Sequence, residues 1–372
     1  MNLYLQHEVY NAMRNFRLPQ KVIQSDADGV TPTNPTSLIG RISRRKFVGY
    51  LLRCPGLIVG ATVGINSGRG APRVAVRVEE KPLLRFDQYG ECDGVTDDSS
   101  AFVRVLKSLS SAGGGTVLLP PKKISFVLKS NQPMFTVPPN VRIEGSAGET
   151  QVILTSTGGS TQPRIFAKTN GDNIAISGLR LYREEDFPLV FFQVGAFTDL
   201  RITRCRLDGK KDRYPKQYAH GVSLDSSGAK SNIKIDRCSF TQLSFGLFQA
   251  NSATGAVDNV AIDRCQFFRN HGDDLCFNAP KSVMRNIEVT NSDFRDNLSK
   301  SSANGFGVSL AHVVGAHVDR CHFENYYSQA IHIEDYSSNI KISDGTTIKS
   351  CGRGAGGGIL IISGSSDITI AA

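Results

Sequence analysis

From about residue 140 the chain repeats one short line of alternating apolar and polar positions. The copies are Asn140-Val-Arg-Ile, Asn173-Ile-Ala-Ile, Asp199-Leu-Arg-Ile, Asn232-Ile-Lys-Ile, Asn259-Val-Ala-Ile, Asn286-Ile-Glu-Val, Gly315-Ala-His-Val, Asn339-Ile-Lys-Ile and Asp367-Ile-Thr-Ile, 24 to 33 residues apart and centred near 27. The period of two inside each copy predicts strands, and the regular spacing predicts one supersecondary turn per repeat, stacked on the next. Many copies continue to a second apolar pair, as in Cys205-Arg-Leu207, Cys238-Ser-Phe240, Cys265-Gln-Phe267 and Cys321-His-Phe323. A further short strand follows, usually opened by a small residue: Gly221-Val-Ser-Leu, Gly246-Leu-Phe-Gln, Asp274-Leu-Cys-Phe, Gly307-Val-Ser-Leu, Ala330-Ile-His-Ile and Gly358-Ile-Leu-Ile. Two or three strands per turn, closing on themselves, predict an all-β parallel β-helix whose like strands stack about 4.8 Å apart. A propeller needs four strands in roughly 40 residues, which this period excludes. The recurring Asn predicts a stacked ladder that satisfies backbone groups at a turn.

Ahead of the array, Asp97-Asp98-Ser99-Ser100 can start a helix with Phe102, Val105, Leu106 and Leu109 on one stripe, stopped at Gly113-Gly-Gly115. An open solenoid end exposes core and unpaired strand edge, so a short capping helix belongs there. No equivalent cap is visible after Asp367, which leaves two expectations open: a truncated reading frame, or oligomerisation through the C-terminal end.

The 372 residues carry a net charge of +9. Residues 1–85 hold a net of +8 and the remainder only +1. The body is close to neutral, so the charge does not predict nucleic-acid binding. Residues 1–42 read as an unstructured leader. Ser43-Arg44-Arg45-Lys46-Phe47-Val48, ahead of a modest apolar stretch, resembles a twin-arginine export signal spanning 43–72. That resemblance implies export from a bacterial cell by the twin-arginine machinery, to the periplasm or the exterior. No apolar run reaches the ~20 residues of a membrane-spanning helix. Cys205, Cys238, Cys265 and Cys321 share one column of the repeat, with Ser292 in the remaining coil, and are expected to be stacked free thiols of a narrow core.

The segment Phe86-Asp-Gln-Tyr-Gly90-Glu-Cys-Asp93-Gly94-Val95-Thr96-Asp97-Asp98, a helix, and then Gly113-Gly-Gly-Thr-Val-Leu-Leu-Pro120-Pro121 resemble the opening of the pectate lyase superfamily, in its rhamnogalacturonase/epimerase-like form. The resemblance covers residues 84–372 and implies a single right-handed parallel β-helix domain, pectin-lyase-like, that acts on or binds polysaccharide. The Asp-Gly-Val-Thr-Asp-Asp element reads as architectural, its carboxylates serving a turn and a helix cap.

Letting residues alternate after each opening position of the last short strand places Asp274, Cys276, His332 and Glu334 outward. Asn270-His271-Gly272-Asp273-Asp274 stands out, because adjacent carboxylates repel and one of them gains a raised pKa. Gly-Asp-Asp at a strand start also resembles the paired aspartates of polygalacturonases. That family's Asn-Thr-Asp and Gly-His-Gly are replaced here by Ser244-Phe245-Gly246 and Gly305-Phe306-Gly307, so its mechanism does not transfer. Asp225 lies two coils before Asp274 and Glu334 two coils after, within reach of the ~6.5–9.5 Å carboxylate gap of an inverting hydrolase. The expected pair is Asp274 as acid and Glu334 as base, with Asp273, Asp225, His332 and His271 as the other catalytic candidates. Lys210, Lys211, Arg213, Tyr214 and Tyr218 lie in an insertion and suit an acidic sugar chain by charge pairing and ring stacking.

The expected function is glycosidic bond cleavage in an acidic or pectin-like polysaccharide, needing no cofactor. One alternative is a non-catalytic, adhesive solenoid. Another is a uronate lyase or epimerase, which would call for a cation such as Ca2+ and an Arg or Lys base, with Lys281, Arg285, Arg295 and Lys300 nearby.

Overall fold

The computed structural model describes residues 81–372, apart from 129–132, 158–163, 168–169, 210–217, 225–226, 250, 344, 355 and 372. The leader, the twin-arginine region, Lys210, Lys211, Arg213, Tyr214 and Asp225 lie outside the described residues.

The repeat winds into a parallel β-helix of three sheets, with eleven, ten and nine strands among the described residues. Every ladder is parallel and joins one coil to the next, so Lys230–Asp236 pairs with Val257–Asp263 and that strand with Met284–Thr290. The Asn-Ile-x-Ile lines form the first sheet, with Ile233, Val260, Ile287, Ala316 and Ile340 in one buried column.

Each line begins with a residue in the left-handed region: Asn140, Asn173, Asp199, Asn232, Asn259, Asn286, Asn339 and Asp367 have φ of 53 to 63°, and Gly315 has 82°. Asn, Asp and Gly tolerate this conformation best, which explains why only they recur there. The Asn side chains also stack. Asn286 Nδ2 donates to Asn259 Oδ1 at 3.2 Å, and Asn259 Nδ2 to Asn232 Oδ1 at 3.2 Å. The predicted ladder is present.

The second sheet carries the aromatic spine. Phe240, Phe267, Phe294 and Phe323 stack face to face with centroids 4.8, 4.7 and 4.5 Å apart. That spacing matches the distance between coils, because each ring occupies the same position of its own turn. Beside the spine, Cys205, Cys238, Cys265 and Cys321 are buried free thiols, each facing carbonyl oxygens of its own and the preceding coil.

A helix over Ser99–Ser111 covers the N-terminal end with buried Ala101, Phe102, Val105, Leu106 and Leu109. Phe102 meets Phe86, Phe126, Phe135 and Phe166, so the helix closes the core with one aromatic cluster. The three carboxylates before it are structural. Asp93 Oδ1 accepts the Val95 and Thr96 N–H groups, Asp97 Oδ1 accepts Ser99 N, and Asp98 Oδ1 accepts Glu91 N. Asp98 thus braces the preceding turn instead of capping the helix. At the other end, Ile361 and Ile370 are exposed on the last strands of the third and first sheets. Among the described residues no helix is long and apolar enough to cross a membrane.

Candidate active site

The outer face of the third sheet is the candidate substrate groove, and register sets the columns of its floor. One outward column reads Val190, His220, Phe245, Asp273, Phe306 and Gln329; a second reads Gln193, Ser223, Phe248, Cys276, Ser309 and His332. Glu334 heads a third, with Ala311 and Asn278.

The expected outward position of Asp274 is corrected. Its column is Gly221, Gly246, Asp274, Gly307 and Ala330, and this column faces the core. A Cβ on Gly221, Gly246 or Gly307 would come within 2.8 Å of the Phe240, Phe267 or Phe323 ring, which is why the neighbours are so small. The opening residue and the next one both point inward, as buried Asp274 and Leu275 show, so alternation starts one residue later than the sequence suggests. Asp274 is 1% exposed. Its Oδ1 accepts Asn270 Nδ2 at 2.7 Å and its Oδ2 accepts the hydroxyl of Tyr326, itself fully buried. Burial raises its pKa to about 7, opposed by the Tyr326 and Asn270 hydrogen bonds and assisted by the Asp273 charge. A carboxyl enclosed in this way bridges coils and does not reach a bound chain. Glu334 lies on the outer face in register with Asn278, whereas Asp274 is enclosed on the core side, so the expected Asp274–Glu334 pair does not share one face.

Asp273 takes the outward position instead. Its Oδ1 accepts the backbone N–H groups of Gly305 at 2.8 Å and Phe306 at 3.0 Å, from the following coil. Gly305 has φ of +80°, the conformation that turns this segment toward the carboxylate. Burial raises the Asp273 pKa to about 6, against the lowering effects of the Phe306 and Gly305 N–H groups, the His332 charge and the Cys276 thiol. The Cys276 thiol is pushed well up by its own burial and by Asp273, and feels Glu334 as well, so both carboxylates act on one stretch of groove. It is a neutral thiol.

His332 and Glu334 form a pair, with Nε2 3.2 Å from Oε2. The imidazole stacks on Phe306 at 4.2 Å and its Nδ1 lies 3.4 Å from Gln329 Oε1. Asp335 is raised by burial and by the Glu334 charge. His271 is buried at the corner between the second and third sheets and does not line the groove. Tyr218 is 38% exposed, at the entry to the strand Ala219–Ser223. Of the basic residues weighed for an eliminating enzyme, Arg285 and Arg295 sit on the first and second sheets, off the groove. Among the described residues no group of three or more His, Cys, Asp or Glu could hold a metal ion.

Three groups around the two aspartates were not singled out by the sequence. Tyr326 is linked to Asp274 across 52 residues. Its only sequence signal is its place three residues after Phe323, as Asn270 follows Phe267. Phe245 and Phe306 read as departures from a polygalacturonase pattern, yet they bracket Asp273 in its own column.

Comparison of the sequence with curated proteins finds no match. Among solved structures the chain is similar to ORF18 of Geobacillus virus E2, at 16% identity over 71% of this chain and 53% of that one, with a TM-score of 0.38. It spans about half the length of that protein. It is also similar to the A-module of mannuronan C-5 epimerase AlgE6 from Azotobacter vinelandii, at 14% identity over 78% and 99% of the chains and a TM-score of 0.38. An iota-carrageenase complexed to iota-carrageenan fragments gives 15% identity over 68% and 57%, with a TM-score of 0.42. At these identities no activity carries over. Residues 192–372 match the family model of the right handed beta helix region, and the fold of the chain is accordingly a right-handed parallel β-helix.

Proposed function

We propose that the third-sheet groove hydrolyses glycosidic bonds in a polysaccharide, with Asp273 as general acid and the His332–Glu334 pair activating water. The carrying observation is a nearly buried carboxyl, Asp273, on the outward column of the third sheet, raised by burial to about 6, with the His332–Glu334 pair two coils further on along the same face. Such an acid is part-protonated near neutrality and transfers its proton readily. Asp273 Oδ1 accepts two backbone N–H groups and the carboxyl also meets the Cys276 thiol, so the proton for the leaving group is assigned to Oδ2. Glu334 Oε2 meets His332, which leaves Oε1 for a water. This reassigns the acid role from Asp274 to its neighbour and keeps Glu334 on the base side. We further propose that the protein works outside the cytoplasm, where long polysaccharides are met.

The test is a polysaccharide panel incubated with the full chain and scored for new reducing ends and for ultraviolet-absorbing double bonds. Reducing ends without the absorbance are expected. Unsaturated products would assign elimination instead, and binding with neither product would assign an adhesive solenoid.

A further inference from the structure

The wall of the groove one coil before Asp273 is aromatic. Phe245 and Phe248 are half-buried and pack with centroids 4.6 Å apart. His220 lies against both, at 5.3 and 4.9 Å, and Tyr218 lies 5.9 Å from His220. Burial lowers the His220 pKa to about 4, so it is a neutral spacer that holds the rings in place. Gly272 fixes this wall against the acid: a Cβ there would come 3.0 Å from the Phe245 ring tip and 2.4 Å from Ser244 O. The Phe245 ring therefore rests on the backbone immediately before Asp273.

Among the described residues, the charges on the six strands from Leu189–Gln193 to Ile331–Glu334 have one sign. The strands Leu189–Gln193, Ala219–Ser223, Phe245–Phe248, Leu275–Asn278, Val308–Ala311 and Ile331–Glu334 contain no Lys or Arg, while Asp273, Glu334 and Asp335 are acids. A floor of this kind repels carboxylate or sulfate groups and leaves ring stacking as the attraction. Coils repeat about every 4.8 Å, close to the length of one pyranose in an extended chain. A sugar on Phe245 and Phe248 then places its neighbouring linkage over Asp273.

We infer that Tyr218, Phe245 and Phe248 form a stacking subsite for an uncharged pyranose beside the cleaved bond; this rests on the hydrolytic reading of the groove and replaces the expected acidic sugar at this position. Titration calorimetry of the full chain with cellohexaose, mannohexaose, xylohexaose and hexagalacturonate, at low salt, tests it. At least one neutral probe should bind tenfold or more tightly than hexagalacturonate. Phe248→Leu should weaken that binding about tenfold and Phe248→Tyr should restore it, with the melting temperature of each variant confirming the fold. Tighter binding of hexagalacturonate, binding unaffected by Phe248→Leu, or no binding by any neutral probe would overturn the inference. The two proposals fail separately: bound but uncut neutral chains would sink hydrolysis and keep the subsite, whereas cleavage unaffected by Phe248→Leu would do the reverse.

Discussion

Asp273→Asn should reduce polysaccharide cleavage by roughly 10²- to 10⁴-fold, the usual contribution of a general acid, while Asp274→Asn leaves most of it. The two residues are adjacent in sequence and differ in the space they face. Asp273 meets the groove, fixed by Gly305 and Phe306 N–H groups that an amide oxygen can still accept, so Asp273→Asn keeps the local geometry and removes only the transferable proton. Asp274 spans Asn270 and Tyr326 inside the corner, and an amide there can also accept one hydrogen bond and make the other. Initial rates on the responsive polysaccharide, with melting temperatures for both variants, give the comparison. Loss of activity in Asp274→Asn with a normal melting temperature, and retention in Asp273→Asn, would reverse the assignment.

The second large effect concerns stability. Burial raises Asp274 to about 7 and Asp273 to about 6 in the folded protein, against about 3.9 for an unfolded aspartate. Between pH 4 and 7 the native state thus holds protons that the unfolded chain has released, so stability falls as pH rises through this window and levels off above it. At about 1.4 kcal/mol for each pH unit of difference, the two coupled carboxyls together change stability by an amount on the order of several kcal/mol. Carboxylates with lowered pKa, such as exposed Asp93 and half-buried Glu324, act in the opposite sense at more acid pH. The difference between wild type and Asp274→Asn isolates the buried contribution. The variant should gain melting temperature over wild type at pH 8 and lose that advantage at pH 5; a constant difference would show that Asp274 does not titrate in this range.

Much of the architecture was legible because a solenoid is local order repeated. The Asn-Ile-x-Ile line fixes a left-handed turn residue and two core positions in four letters, and nine copies leave little freedom for the register. The Cys column followed from the same periodicity, and the capping stripe of Phe102, Val105, Leu106 and Leu109 from the separate helical spacing ahead of the array. The phase of the last strand did not. Alternation counted from Asp274 assumes that an opening residue faces solvent, whereas Gly221, Gly246 and Gly307 are small because they abut the Phe spine. That packing joins two sheets of one coil and leaves no period in the sequence. The Asp274–Tyr326 contact was hidden for a related reason, since a carboxyl and a phenol two coils apart carry no motif. The carboxylate pair was visible, and which member met the groove was not.

The most direct measurement is the pH profile of kcat/KM for polysaccharide cleavage from pH 4.5 to 8.5. With Asp273 as the acid, the rate should fall about tenfold per unit above a midpoint near 6, and Asp273→Asn should lose this limb along with the activity. A rate independent of pH between 5 and 8, or a limb that persists in Asp273→Asn, would show that the proton comes from elsewhere.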